Sequence, residues 1–129
     1  MKYFRKSYGS SKDYITADLE SPLADQHFDV QNIPLPSDSI DVIICNHLLE
    51  HVENDRLAMQ ELHRVMKPGG WGIFLVPEDR ERETTFEDDS IVDAKERTRL
   101  FGQYDHRRIY GRDYDARLRE AGFEVERSD

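Results

Sequence analysis

His47-Leu48-Leu49-Glu50-His51 sets two imidazoles four positions apart with a carboxylate beside the second, the H-x-x-E-H order of inverted zinc peptidases. On a helix both rings would share one face and could hold zinc, with Glu50 as the base. The segment instead begins directly after an apolar, strand-like run, and no clear third protein ligand follows it downstream. No metal ligand is therefore expected, and a zinc hydrolase built on His47, Glu50 and His51 stays as an alternative reading only. Asp18 and Asp29 each close a short β-branched or aromatic run. An ionised carboxylate there offers two acceptor oxygens and no competing donor, which suits it to hydroxyl or amino groups, although a strand-end Asp is often only a turn residue. Gly69-Gly70-Trp71-Gly72 is not read as a phosphate cradle, because it leaves a helix and enters a strand, the reverse of a phosphate loop. His63 falls within a helical pattern and is read as a surface or packing residue. Cys45, the single cysteine, can form neither an internal disulfide nor a thiol-rich metal site.

These residues need elements to position them. Ile40-Asp41-Val42-Ile43-Ile44-Cys45 is the strongest strand signal, β-branched and nearly continuous, as in a central strand covered on both faces. From Asn54, a suitable N-cap, Ala58, Leu62, Val65 and Met66 recur at helical spacing until Lys67-Pro68-Gly69-Gly70 stops the helix. Trp71-Gly72-Ile73-Phe74-Leu75-Val76 follows as a second buried strand, so strand, helix and strand occur in the spacing of a right-handed βαβ unit. Upstream, Tyr14-Ile15-Thr16-Ala17 and His27-Phe28-Asp29-Val30 read as shorter strands, the second ended by a turn through Pro34 and Pro36. Downstream, residues 78–90 are too polar to bury and read as a surface loop or lid. Asp93 with Glu96 starts a helix that stops at Gly102, a further helix through Tyr114, Leu118 and Ala121 stops at Gly122, and Phe123-Glu124-Val125 alternates like a strand. The fold class is α/β, a Rossmann-like and mostly parallel sheet flanked by helices.

Three runs in order, Asp29 to Pro36, Ile40 to Val52 and His63-Arg64-Val65-Met66-Lys67-Pro68-Gly69-Gly70, resemble the class I S-adenosylmethionine-dependent methyltransferases of the small-molecule type. The ending Leu-x-Arg-Val-x-Lys-Pro-Gly-Gly, reproduced by Leu62 to Gly70, is that family's best-known signature. The resemblance extends over residues 14–125, and the runs Phe101 to His106 and Ile109 to Tyr114 resemble a bacterial subgroup. It implies S-adenosylmethionine as cofactor, with Asp18 accepting from the ribose hydroxyls and Asp29 from the adenine amino group, the Val30 amide near a ring nitrogen, and Asn46 and His47 lining the methionine end. It places His51 near the acceptor side, where His106 and Tyr110 are further candidates. Ligands of open parallel sheets bind beyond the carboxyl ends of the strands, where these residues fall.

The same resemblance exposes a gap. Such domains open with a strand and a D/E-x-G-x-G loop, but the only glycine before Gly69 is Gly9, with no strand ahead of it. The 129 residues are thus expected to form a single partial methyltransferase domain, lacking the first strand and glycine-rich loop and cut at both ends, with residues 3–11 as the end of a helix. A strand missing between its neighbours leaves backbone groups unpaired, so the chain alone is expected to form a homodimer or to aggregate. The net charge of -9 opposes binding to a phosphate backbone, and no apolar run approaches the roughly 18 residues of a membrane span. Lacking a signal sequence, the chain is expected to be cytoplasmic. Methyl transfer to a small molecule or other acceptor is the leading function, and a non-catalytic binding or assembly module derived from such an enzyme is the alternative.

Overall fold

The computed structural model describes residues 15–127. Its spine is a strand, β1 (Ile40–Asn46), a helix, α1 (Asp55–Val65), and a second strand, β2 (Met66–Leu75). β1 and β2 lie parallel, with Val42 opposite Trp71 and Asn46 opposite Leu75. The helix starts where the sequence marks it: the Asn54 side chain accepts from the Leu57 amide at 3.1 Å. Ala58, Met59, Leu62 and Val65 form its buried stripe, each of the three larger side chains contributing roughly 1.5–3 kcal/mol on burial. α1 ends at Val65 rather than at the Lys-Pro-Gly-Gly run, because Met66 is already extended and paired with Ile40. The run forms an irregularity inside β2, where Gly69 has φ +82° after Pro68, as in a type II turn. A Cβ on Gly70 would stand 2.8 Å from the Asp41 carbonyl, so the turn can lie against β1 only without a side chain there.

Downstream come β3 (Phe86–Glu87), α2 (Ala94–Phe101), β4 (Arg108–Ile109) and α3 (Tyr114–Glu120), with β3 and β4 antiparallel. α2 opens on Asp93, whose carboxylate accepts from the Glu96 amide, and ends at Gly102 with φ +90°. α3 closes in a Schellman motif: Gly122 N–H donates to the Arg119 carbonyl and Phe123 N–H to that of Leu118, with Gly122 at φ +115°. The core joins Val30, Ile33, Cys45 and Leu49 to the α1 stripe and to Tyr110, Tyr114 and Leu118.

Four expectations change. Tyr14 lies outside the described residues, as do residues 3–11; residues 15–17 keep only a parallel bridge from Ala17 to Gln26, and residues 27–30 form no strand. The competing interaction is local: Asp25 Oδ2 takes the Thr16 amide and hydroxyl at 2.8 and 2.9 Å. Among the described residues β1 pairs with β2 alone and is not central, and one sheet face is uncovered, with Ile44 46% and Trp71 57% exposed. Residues 78–90 are not merely a loop, since they contain β3 and are anchored by Glu87 to buried arginines. Residues 123–125 form no strand; the Schellman turn directs Phe123 against His63 and Phe74 instead. His63 thus packs, as its position in the helix implied.

Candidate active site at the carboxyl end of the first strand

β1 delivers the chain to a turn at residues 47–53, ahead of the N-cap of α1. His47 begins it at φ +50°, a left-handed conformation that histidine enters more readily than most residues, while its amide still donates to the Leu75 carbonyl at 2.8 Å. Asn46 and His47 are exposed, and Leu49 and Glu50 are buried. Because residues 47–51 form a turn rather than a helix, His47 and His51 do not share a helical face, and the inverted-peptidase arrangement is not formed.

The turn is fastened from below by a residue more than fifty positions away. Arg108, with a side chain 1% exposed, donates to the carbonyls of Leu49 (2.6 Å), Val52 (2.7 Å) and Glu53 (3.0 Å). Its charge is met by Glu87 at 2.7 Å, and Glu87 also receives Arg117 at 3.0 Å. Burial works against ionisation of Glu87, but hydrogen bonds from Arg108 and Arg117 outweigh it and hold the carboxyl below its ordinary range. Asp55, in the first turn of α1, accepts from Arg117 at 2.8 Å and from the Tyr110 hydroxyl at 2.7 Å. Tyr110 is fully buried and its phenol pKa is raised, first by burial and then by Asp55. This corrects its place among the acceptor-side candidates: its hydroxyl is committed to Asp55, and it supports the turn rather than facing a ligand.

The other two acceptor-side candidates meet. His51 and His106 pack edge to face with ring centroids 4.7 Å apart, and His51 Nε2 lies 3.7 Å from Glu50 Oε1. Asp18 is exposed and its Oδ1 accepts from the amides of Glu20 and Ser21, both at 2.9 Å, which lower its pKa. Asp29 is exposed and accepts from the Gln31 amide and side chain, while Val30 is buried in the core. Gln31 Oε1 in turn accepts from the Asn54 amide at 2.9 Å, which ties the Asp29 turn to the start of α1. Asp18 makes no hydrogen bond to the residue 47–53 turn; its partners are local. Two open surface depressions among the described residues, at Ala94, Lys95, Thr98 and Tyr104 and at Glu78, Arg80, Arg112 and Arg127, include none of these residues. Sequence reading missed Arg108, Asp55, Glu87 and Arg117. Nothing local distinguishes Arg108 from its neighbour Arg107, and only the fold reveals which one is buried.

A family model described as "Methyltransferase domain" matches residues 1–74, a span that contains β1, α1 and nearly all of β2. The ubiquinone/menaquinone biosynthesis C-methyltransferase UbiE of Coxiella burnetii is 38% identical over 47 residues, covering 36% of this chain and 19% of that protein. Among solved structures, an S-adenosylmethionine-dependent methyltransferase from Mesorhizobium loti superposes with a TM-score of 0.62 at 19% identity, over 97% of this chain and 70% of that one. A methyltransferase-type structure from Bacillus halodurans C-125 gives 0.59 at 24% identity, over 79% of this chain and 42% of that one. The chain thus spans about a fifth of the length of the curated relative and under half of the Bacillus structure. With a family match over more than half of its residues and a parallel strand-helix-strand unit inside that match, the chain belongs to the methyltransferase domain family.

Proposed function

We propose that this chain contributes the cofactor-binding and acceptor-facing strand ends of an enzyme that methylates a small-molecule acceptor. The observation that carries the reading is the coincidence of the family match at residues 1–74 with the β1-α1-β2 unit and the turn beyond β1. S-adenosylmethionine, when bound, supplies an activated methyl on a sulfonium leaving group, so the protein has to position the acceptor and exclude water. Asp18 fits a ribose-binding role: backbone amides on Oδ1 favour the ionised form, and the second oxygen of the exposed carboxylate can accept a hydroxyl. Asp29, with both oxygens on Gln31, fits the adenine side only if the Gln31 side chain yields one of them. Asn46 and His47 stand exposed where the methionine end would lie, with the Val30 amide on the adenine side. His51, 29% exposed, is the acceptor-facing candidate, and the more deeply buried His106 lies behind it.

Calorimetric titration with S-adenosylmethionine tests the reading in a chain extended at its N-terminus by a strand and D/E-x-G-x-G loop. Saturable binding is expected, weakened ten- to hundredfold by Asp18→Ala, in line with the loss of about 1.5–3 kcal/mol from a charge-assisted hydrogen bond. The 129 residues alone are expected to bind at least about a hundredfold more weakly than the extended chain, for want of the loop's backbone contacts. Absence of saturation in both chains would favour a non-catalytic binding module, and unchanged affinity in the variant would remove Asp18 from the site.

A further inference from the structure

We infer that Glu50, His51 and His106 form a binding site for a divalent transition metal ion of the zinc type. This does not rest on methyl transfer, and it departs from the sequence expectation that the chain has no metal ligands. One ligand atom from each of the three residues lies within 4.8 Å of the others. The first observation is Glu50, which is 1% exposed and has neither carboxylate oxygen hydrogen-bonded. A buried carboxylate without donors costs several kcal/mol unless something cationic or protic completes it.

The second observation is independent and concerns the two rings. His106 Nδ1 lies 3.3 Å from the Phe101 carbonyl, which can only accept, so Nδ1 is the donor and, in the neutral ring, Nε2 offers a lone pair. His51 Nδ1 lies 3.2 Å from Asp105 Oδ2, so in the neutral ring His51 Nε2, 3.7 Å from Glu50 Oε1, likewise offers its lone pair. A carbonyl or carboxylate that takes the far N–H of an imidazole, fixing its tautomer and orientation, is the usual support behind a metal-bound histidine. A water could satisfy one oxygen of Glu50, but it would not account for two imidazoles held with their free nitrogens in one cluster with the same carboxylate.

Two imidazoles and one carboxylate are a donor set suited to zinc, with a fourth position open. Tetrahedral ligand atoms at zinc distances are about 3.3 Å apart. The 3.7 Å between Glu50 Oε1 and His51 Nε2 therefore needs only a small contraction. His47 Nδ1, also 3.7 Å from Glu50 Oε1, sits on the solvent side of the cluster. Glu50 is a ligand here, not a base, and the third ligand comes from position 106, not from the first histidine of the H-x-x-E-H run.

The test is titration of the chelator-stripped 129-residue chain with Zn2+ in competition with a chromogenic chelator, and with Co2+ monitored by visible absorption. One equivalent of zinc is expected at micromolar affinity or better, with a Co2+ spectrum of four- or five-coordinate intensity. Glu50→Gln and His106→Ala should each weaken binding at least tenfold, and Asp105→Asn about tenfold as a positioning residue. His63→Ala, which removes an imidazole outside the cluster, should leave affinity unchanged. Circular dichroism of each metal-free variant checks that the fold is retained. No binding below about 100 µM, or binding indifferent to Glu50→Gln and His106→Ala, would overturn the site.

Discussion

Cys45 shows how one residue's reactivity follows from its face of a strand. It points from β1 into the core, where burial first, and then the nearby Glu50, push its thiol up to about 12. Since the thiolate is the reactive form, the native protein should resist a disulfide reagent such as DTNB at pH 8, and unfolding in urea should release one reactive thiol per chain. Rapid labelling of the folded chain would show that β1 is not packed as described. The sequence carried this residue's character, because a lone cysteine in an apolar strand is usually inert. It did not carry the character of Glu50, whose neighbours in the chain, Leu49 and His51, say nothing of its burial. Nor did it separate Tyr110 from His51 and His106 as acceptor-side candidates, since what distinguishes them is a hydrogen bond to Asp55, 55 positions earlier.

At the scale of elements, legibility follows the range of the forces involved. α1 was readable at its start because capping is a local interaction between Asn54 and Leu57, and α2 and α3 were readable for similar reasons. The strands expected at residues 14–17 and 27–30 were not, because a strand needs a neighbour to pair with: of residues 15–17 only Ala17 is bridged, to Gln26, and residues 27–30 have no bridge. Residues 78–90 stay at the surface as their polarity implied, but that polarity hid a two-residue strand and the ion pairs of Glu87 with arginines on other elements. That network makes a sharp contrast between adjacent positions. Arg108→Met should destabilise the chain by about 3–5 kcal/mol, since it leaves the carbonyls of Leu49, Val52 and Glu53 without the buried guanidinium they accept from, while the exposed Glu87 keeps Arg117. Arg107→Met, at a side chain that makes no hydrogen bond or ion pair among the described residues, should stay within about 0.5 kcal/mol. Urea denaturation of both variants decides it, and equal midpoints would mean that the Arg108 contacts contribute little.

For the whole molecule, the parallel α/β plan was legible and its completeness was not. The outer face of the β1-β2 pair presents Val42, Ile44, Trp71, Ile73 and Leu75, from 42% to 57% exposed. An apolar patch of this kind on a two-stranded sheet is the physical basis for the expected self-association. Sedimentation velocity should show the 129-residue chain as dimers or larger species at tens of micromolar, and Ile44→Lys with Ile73→Lys should shift it toward monomer. A wild-type chain that stays monomeric at these concentrations would contradict the expectation. Among the described residues no helix is long and apolar enough to cross a membrane, so the patch is not part of a helical span.

The fastening of the residue 47–53 turn by Arg108 also has a consequence in time. β1, α1 and β2 close over short sequence separations and are available once residue 75 has been made, whereas the bonds from Arg108 to the turn span 55 to 59 positions. Since a chain emerges from the ribosome N-terminal end first and distant contacts form last, the scaffold precedes its own working end. A nascent chain halted between residues 76 and 107 would hold a recognisable parallel sheet with an unfastened turn at its carboxyl edge, and acquire that turn only when the arginine arrives.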